Sequence, residues 1–151
     1  MAEPGERQVS SAPMQPSGSA TDQLFARLER LKERWPKKGW SWDYRVNCVA
    51  SSFHVDSTQE AHQALVAILP EVYDYKTLAK ANQHVRQAAE AVGGIRSDQL
   101  IYTLSAPGRL VPYALWWPWG DEITISVRVG LAGYASESDY HRLQTQFNAL
   151  A

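Results

Sequence analysis

Leu24, Leu28, Leu31 and Trp35 recur at helical spacing, which predicts an amphipathic helix over residues 22–35. Thr21 stands where an N-cap belongs, and Pro36 ends the run. The period then drops to two. Trp42, Tyr44, Val46, Cys48 and Ala50 alternate with Asp43, Arg45 and Asn47, which predicts one strand over 41–53 with a single buried face. Ser57 and Glu60 have capping-box spacing ahead of Ala61, Ala64, Leu65, Ile68 and Leu69, a second helix closed by Pro70. After a turn holding Tyr73 and Tyr75, a third helix is predicted over 76–92 along Leu78, Ala81, Val85, Ala88, Ala89 and Val92. Gly93-Gly94 supplies its left-handed cap.

The second half reads mostly as strand. Leu100, Tyr102 and Leu104 alternate with Ile101 and Thr103, and Pro107-Gly108 marks a turn. Strands over 110–117 and 123–131 follow, joined through Trp119-Gly120-Asp121-Glu122. Such short connections predict an antiparallel meander. Ser136 and Asp139 open a last helix that buries Tyr140, Leu143, Phe147 and Leu150. The order α-β-α-α-β-β-β-α predicts an α+β two-layer domain: a four-stranded, mostly antiparallel sheet covered by helices on one face. Pattern alone leaves open whether the first strand pairs with the edge or the middle of the meander.

Composition adds boundaries. Twelve of the first 20 residues are Ala, Pro, Ser or Gly and none is aromatic, so 1–20 is expected to be a disordered tail. Residues 21–151 then form a single domain, the size expected of one core. No window approaches the roughly 18 apolar residues of a membrane span. The start of the chain lacks a signal-peptide pattern, and its one Cys cannot form an internal disulfide. A cytoplasmic protein is the simplest expectation. The formal net charge of −1 argues against a general nucleic-acid binder. It is uneven, because residues 22–38 carry a net +3. Arg27, Arg30, Lys32 and Arg34 with interleaved Glu29 and Glu33 are those of a solvated helix face.

The chemistry-bearing signatures are sparse. Neither common phosphate-binding loop occurs, nor a CxxC pair, a metalloprotease helix motif or a nucleophile elbow. Gly93-Gly94 follows a helix, so it caps one and does not cradle a phosphate. Cys48 on the apolar side of a strand reads as an inert small hydrophobe. His54, Asp56 and His62, with Tyr102, are the best candidates for a ligand or metal site. They lack a further ligand, and Asp56 is explained equally well by a helix-start turn. No metal or other cofactor is therefore expected. No motif places the chain in a known family.

The six Trp residues fall in two windows, 35–42 and 116–119. Trp116 and Trp117 are adjacent, so in an extended strand they point to opposite faces. One of them is expected on the outer face near Trp119. Exposed clustered aromatics mark binding surfaces. Another protein, or a second copy of this chain, would bury Trp116 or Trp117 with Trp119 and Arg128, and Asp121 and Glu122 would lie on the rim. A single nucleic-acid strand would instead use Arg34, Lys37, Lys38 and Trp40. A flat small ligand would stack on Trp116, Trp117 or Trp119. The reading that needs least is a non-enzymatic protein-binding accessory module of chaperone, adaptor or immunity type. The alternative is a small enzyme or ligand-binding protein with a pocket between helices and sheet, using His54, Asp56 and Tyr102.

Overall fold

Helix α1, Ala20–Arg34, starts two residues earlier than its apolar stripe implies. The Ser19 hydroxyl accepts from the Asp22 amide at 3.1 Å, so Ser19 and not Thr21 is the cap. These observations come from a computed structural model that describes residues 19–105 and 108–149. The predicted tail, apart from Ser19 and Ala20, lies outside the described residues, as do Pro107 and Leu150.

The alternating run predicted as one strand over 41–53 is a hairpin. β1 is Ser41–Asp43 and β2 is Cys48–His54, with Asp43 opposite Cys48. The Asp43 carboxylate accepts from the Arg45 amide at 3.0 Å and turns the chain at once. Asn47 completes the turn with φ of 55°. Tyr44, expected on the buried face, is therefore 70% exposed.

A 3-10 turn, Val55–Ser57, precedes helix α2, Thr58–Ile68. The predicted Ser57–Glu60 capping box does not form, because Ser57 makes no cap bond. Thr58 Oγ1 donates to the Val55 carbonyl at 2.6 Å instead. β3, Glu71–Tyr73, follows Pro70 directly, in a segment predicted as turn. Helix α3 is Gln83–Ala91, seven residues shorter at its start than predicted. Asp74 gathers the amides of Lys76 and Thr77 into a turn, and Asn82 caps the helix through the His84 amide at 2.7 Å. β4 is Leu100–Thr103, β5 Leu110–Pro118 and β6 Thr124–Gly133. Helix α4, Glu137–Gln146, starts at Ser136 and Asp139 as expected, and the two form a capping box.

The described residues thus form four α-helices and a six-stranded antiparallel sheet in the order β1-β2-β6-β5-β4-β3. The α+β class and the β4-β5-β6 meander agree with the pattern. The strand count does not, because β1 and β3 are three-residue edge strands hidden inside a longer alternation and a supposed turn. Helices also occupy both faces, not one. α1, α2 and α4 cover the main face, over Val49, Phe53, Tyr102, Trp116, Val127 and Val129. α3 packs Val85 and Ala89 on the second face, over Cys48, Ile101, Val111, Tyr113 and Leu115. A Cβ on Gly130 would lie 2.6 Å from Cys48 Sγ and 2.8 Å from the Tyr113 ring. Glycine is needed there so that Tyr113 can cross β6 and reach Cys48. Among the described residues no helix is long and apolar enough to cross a membrane.

Candidate functional site

α3 covers only one end of the second face. At the other end Ala50 and Ser52 on β2, Arg128 on β6 and Trp117 on β5 stay partly exposed. Cross-strand register brings them together: Arg128 lies opposite Ala50 on one side and Leu115 on the other, and Ser126 lies between Ser52 and Trp117. The small side chains of Ala50, Ser52 and Ser126 leave a shallow floor. Two large groups rise from it.

Trp117 and Arg128 stack, with the guanidinium carbon 4.7 Å from the indole centroid. Arg128 is held from two sides. Its Nε donates to Asp43 Oδ2 at 2.8 Å, and its NH1 donates to Ser126 Oγ at 3.0 Å. Ser52 Oγ donates to Ser126 Oγ at 3.3 Å. Asp43 also takes Arg45 at 3.2 Å. Those two cations, Arg45 first, hold the Asp43 carboxyl down at about 2 despite its burial. A charge ladder Arg45–Asp43–Arg128 therefore runs across the face and holds the guanidinium beside Trp117. The Trp117 indole N–H is itself buried and finds no acceptor among the described residues.

The β5–β6 connection forms the rim. Trp119 is 51% exposed and Ile123 52% exposed. Asp121 does not serve as a free rim charge. Its carboxylate accepts from the Ile123 and Thr124 amides and from Thr124 Oγ1, and those bonds lower its pKa, the Thr124 hydroxyl most. Its role is to shape the turn. Glu122, at φ of 65°, is exposed.

Trp116 and Trp117 do point to opposite faces. Trp116 is 6% exposed and packs against Phe53 and Tyr102 in the main core, so it is absent from this surface. The residues missed from sequence are Asp43, Ser52 and Ser126. Only the register of β1, β2 and β6 reveals them, and alternation carries no register across 85 positions of separation.

The other predicted site residues split into two pairs, His54 with Asp56 and His62 with Tyr102. His54 and Asp56 are exposed at the 3-10 turn, where His54 Nδ1 accepts from the Asp56 amide at 3.1 Å. His62 pairs instead with Tyr102, Nδ1 to hydroxyl 2.7 Å. Tyr102 is fully buried, and burial pushes its phenol well above the ordinary range. Among the described residues no group of three or more His, Cys, Asp or Glu could hold a metal ion. Cys48 is fully buried, and burial raises its thiol to about 11. In the basic segment, Trp40 is 8% exposed and lies against Trp35 and Phe147, with centroids 5.2 and 4.9 Å away. Its ring offers no platform for a base. Lys37 donates its ammonium to the Ser52 carbonyl, where β2 has run past β1, while Arg34 and Lys38 stay in solvent.

No family model matches the chain, and neither a curated protein nor a solved structure matches it.

Proposed function

We infer that this chain is a non-enzymatic protein-binding module that binds through the exposed end of its second sheet face. The carrying observation is the Trp117–Arg128 stack, pinned by Asp43 and Ser126 beside the exposed Trp119 and Ile123. Trp and Arg are the residues most often responsible for binding energy at protein interfaces. Their usual entropy cost on binding is small here, because Asp43 and Ser126 already hold the arginine. The indole N–H of Trp117 lacks an acceptor among the described residues, which a partner carbonyl would supply after a small indole rotation. Glu122 adds a negative charge at the rim.

The test is co-purification of the full chain from its own cell type, beside the Trp119→Ala and Arg128→Ala variants. The expected result is a stoichiometric partner retained by the wild type and lost by both variants at unchanged thermal stability for Trp119→Ala. A chain that purifies alone and monomeric would overturn the reading.

A further inference from the structure

The two ends of β5 carry unlike surfaces. Beyond Pro118 the β5–β6 turn holds Trp119 and Ile123 in solvent. Val55 stands beside them, because its amide donates to the Ile123 carbonyl at 2.8 Å, and it is exposed as well. The chain adds only acids here. Asp56, Asp121 and Glu122 adjoin Val55 and Ile123, and no Lys or Arg occurs in residues 46–75 or 110–127. Lys37 is tied to the Ser52 carbonyl, farther along β2. The Asp121 carboxylate accepts from neutral N–H and O–H donors, and Glu122 pairs with no cation among the described residues.

The other end of β5 lies about 26 Å of extended strand away, at Leu110. There a cleft of about 380 Å³ opens between the first half of α1 and the start of β5. Leu24, Leu104, Leu110 and Pro112 give it apolar walls. Its charged lining is Arg27, Arg30 and Arg109, and no carboxylate. Arg109 is already neutralised, because both its terminal nitrogens bond Asp139. Arg27 donates through NH1 to the Ile68 carbonyl at 3.0 Å, a neutral acceptor that leaves its charge uncompensated. Arg30 is exposed and makes no ion pair among the described residues. The whole segment 22–38 carries a net +3.

We propose that the β5–β6 turn of one copy of this chain inserts into the α1–β5 cleft of a second copy, with Trp119 as the anchor and Glu122 beside Arg30. The turn projects, with apolar groups at its tip and acids around them. The cleft is concave, with apolar walls and cations at its edge. Each surface therefore supplies what the other lacks. They stand at opposite ends of one strand, so a chain cannot fill its own cleft. The contact is heterologous, each copy offering one turn and one cleft. A single turn in a cleft is a small interface, so the association is weak and needs high concentration and low salt. This names the partner of the Trp119 surface and rests on the reading of that surface as a binding site.

Sedimentation velocity of the full chain at rising concentration and low salt tests it, with Trp119→Ala blunting the turn and Arg30→Glu reversing the charge of the cleft. Both positions are exposed, and unchanged melting temperatures check that the variants fold. The wild type should grow past the dimer, since a contact that leaves one turn and one cleft free does not close at two copies. Each variant alone should associate at least about tenfold more weakly. Mixed in equal amounts, the two should form a heterodimer and stop there. The intact turn of the Arg30→Glu chain enters the intact cleft of the Trp119→Ala chain, and only the damaged surfaces are left over. High salt should weaken wild-type association at least about fivefold. Four results would overturn the proposal: a wild type that never exceeds a dimer at millimolar concentration, association that either variant retains, mixed variants that stay monomeric, or indifference to salt. A monomeric wild type that still retains another protein, released by Trp119→Ala, would likewise end the self-pairing while leaving the Trp119 surface a binding site.

Discussion

The two tryptophan windows hold three Trp each and are buried differently. Trp35 and Trp40 enter the main core, where they stack on each other and on Phe53 and Phe147. Trp35 completes its polar requirement inside the protein, because its indole N–H donates to Ser51 Oγ at 2.9 Å. The second window is split by the sheet. Trp116 joins the same core, while Trp117 and Trp119 stay at the edge of the opposite face, the first with an N–H that has no partner among the described residues and the second half in water. The difference lies in the backbone. A loop after α1 lets Trp35 and Trp40 both turn inward, whereas an extended strand forces neighbours apart. Aromatic count therefore says little about exposure. What separates core tryptophans from surface ones here is the local period on which they are threaded, together with what covers each face.

Substitution should separate the two faces most sharply at adjacent positions. Trp116→Ala removes a ring packed against Phe53 and Tyr102 and should cost about 3–5 kcal/mol in urea unfolding. Trp117→Ala should cost about 1 kcal/mol or less, since it loses one cation–π contact and partial burial. Equal losses would erase the distinction between the faces. The second face nevertheless has its own packed end under α3. Gly130→Ala puts a methyl 2.6 Å from Cys48 Sγ and 2.8 Å from Tyr113, and should cost about 1–3 kcal/mol by the same measurement. A neutral result would show that Tyr113 shifts freely and that this end is loosely packed.

Much of the frame was legible in the chain. The buried positions of α2, the Gly93-Gly94 cap, the helix start at Ser136 and the β4–β6 meander follow from period and punctuation, because each rests on contacts within a few residues. The misreadings share a cause as well. Tyr44 and Val46 alternate as a strand should, but Asp43 and Asn47 carry turn chemistry inside the polar half of the alternation. β3 is too short to show a period, and α3 lost its first seven predicted residues to the Asp74 turn. The opposed directions of Trp116 and Trp117 were legible; which one would be covered was not, since that depends on α3 choosing the second face. The Asp43–Arg128 link was invisible for the same reason: it depends on register between strands 85 residues apart.

That link gives a smaller effect with a defined pH signature. Asp43 is 10% exposed at its side chain, and its folded value near 2 lies below the ordinary 3.8. A depressed carboxylate stabilises the fold above its unfolded value and loses that contribution as pH falls. The fold should thus lose roughly 1–2 kcal/mol from this group between about pH 4 and pH 2. Asp43→Asn should flatten that segment of the stability–pH curve, while Arg45→Ala, which removes the larger cause, should shift it toward higher pH. An unchanged curve in both variants would mean that the ladder does not hold Arg128. The Trp117 stack would then be free to come apart.

The smallest expected stability change is also the most informative about function. Trp119 is half in solvent at the β5–β6 turn, and that turn is held by the Asp121 carboxylate and by backbone bonds of Trp119 that do not involve its ring. Trp119→Ala should leave stability within about 0.5 kcal/mol. It should still abolish retention of a partner if the second face is a binding surface, because a truncated aromatic anchor at an interface typically costs about 2 kcal/mol or more. Asp121→Ala supplies the reverse case: it opens the turn, moves Trp119 without deleting it, and should weaken binding less than Trp119→Ala while costing more stability. If both variants track stability alone, Trp119 is only a turn residue, and the two tryptophan windows differ in burial without differing in purpose.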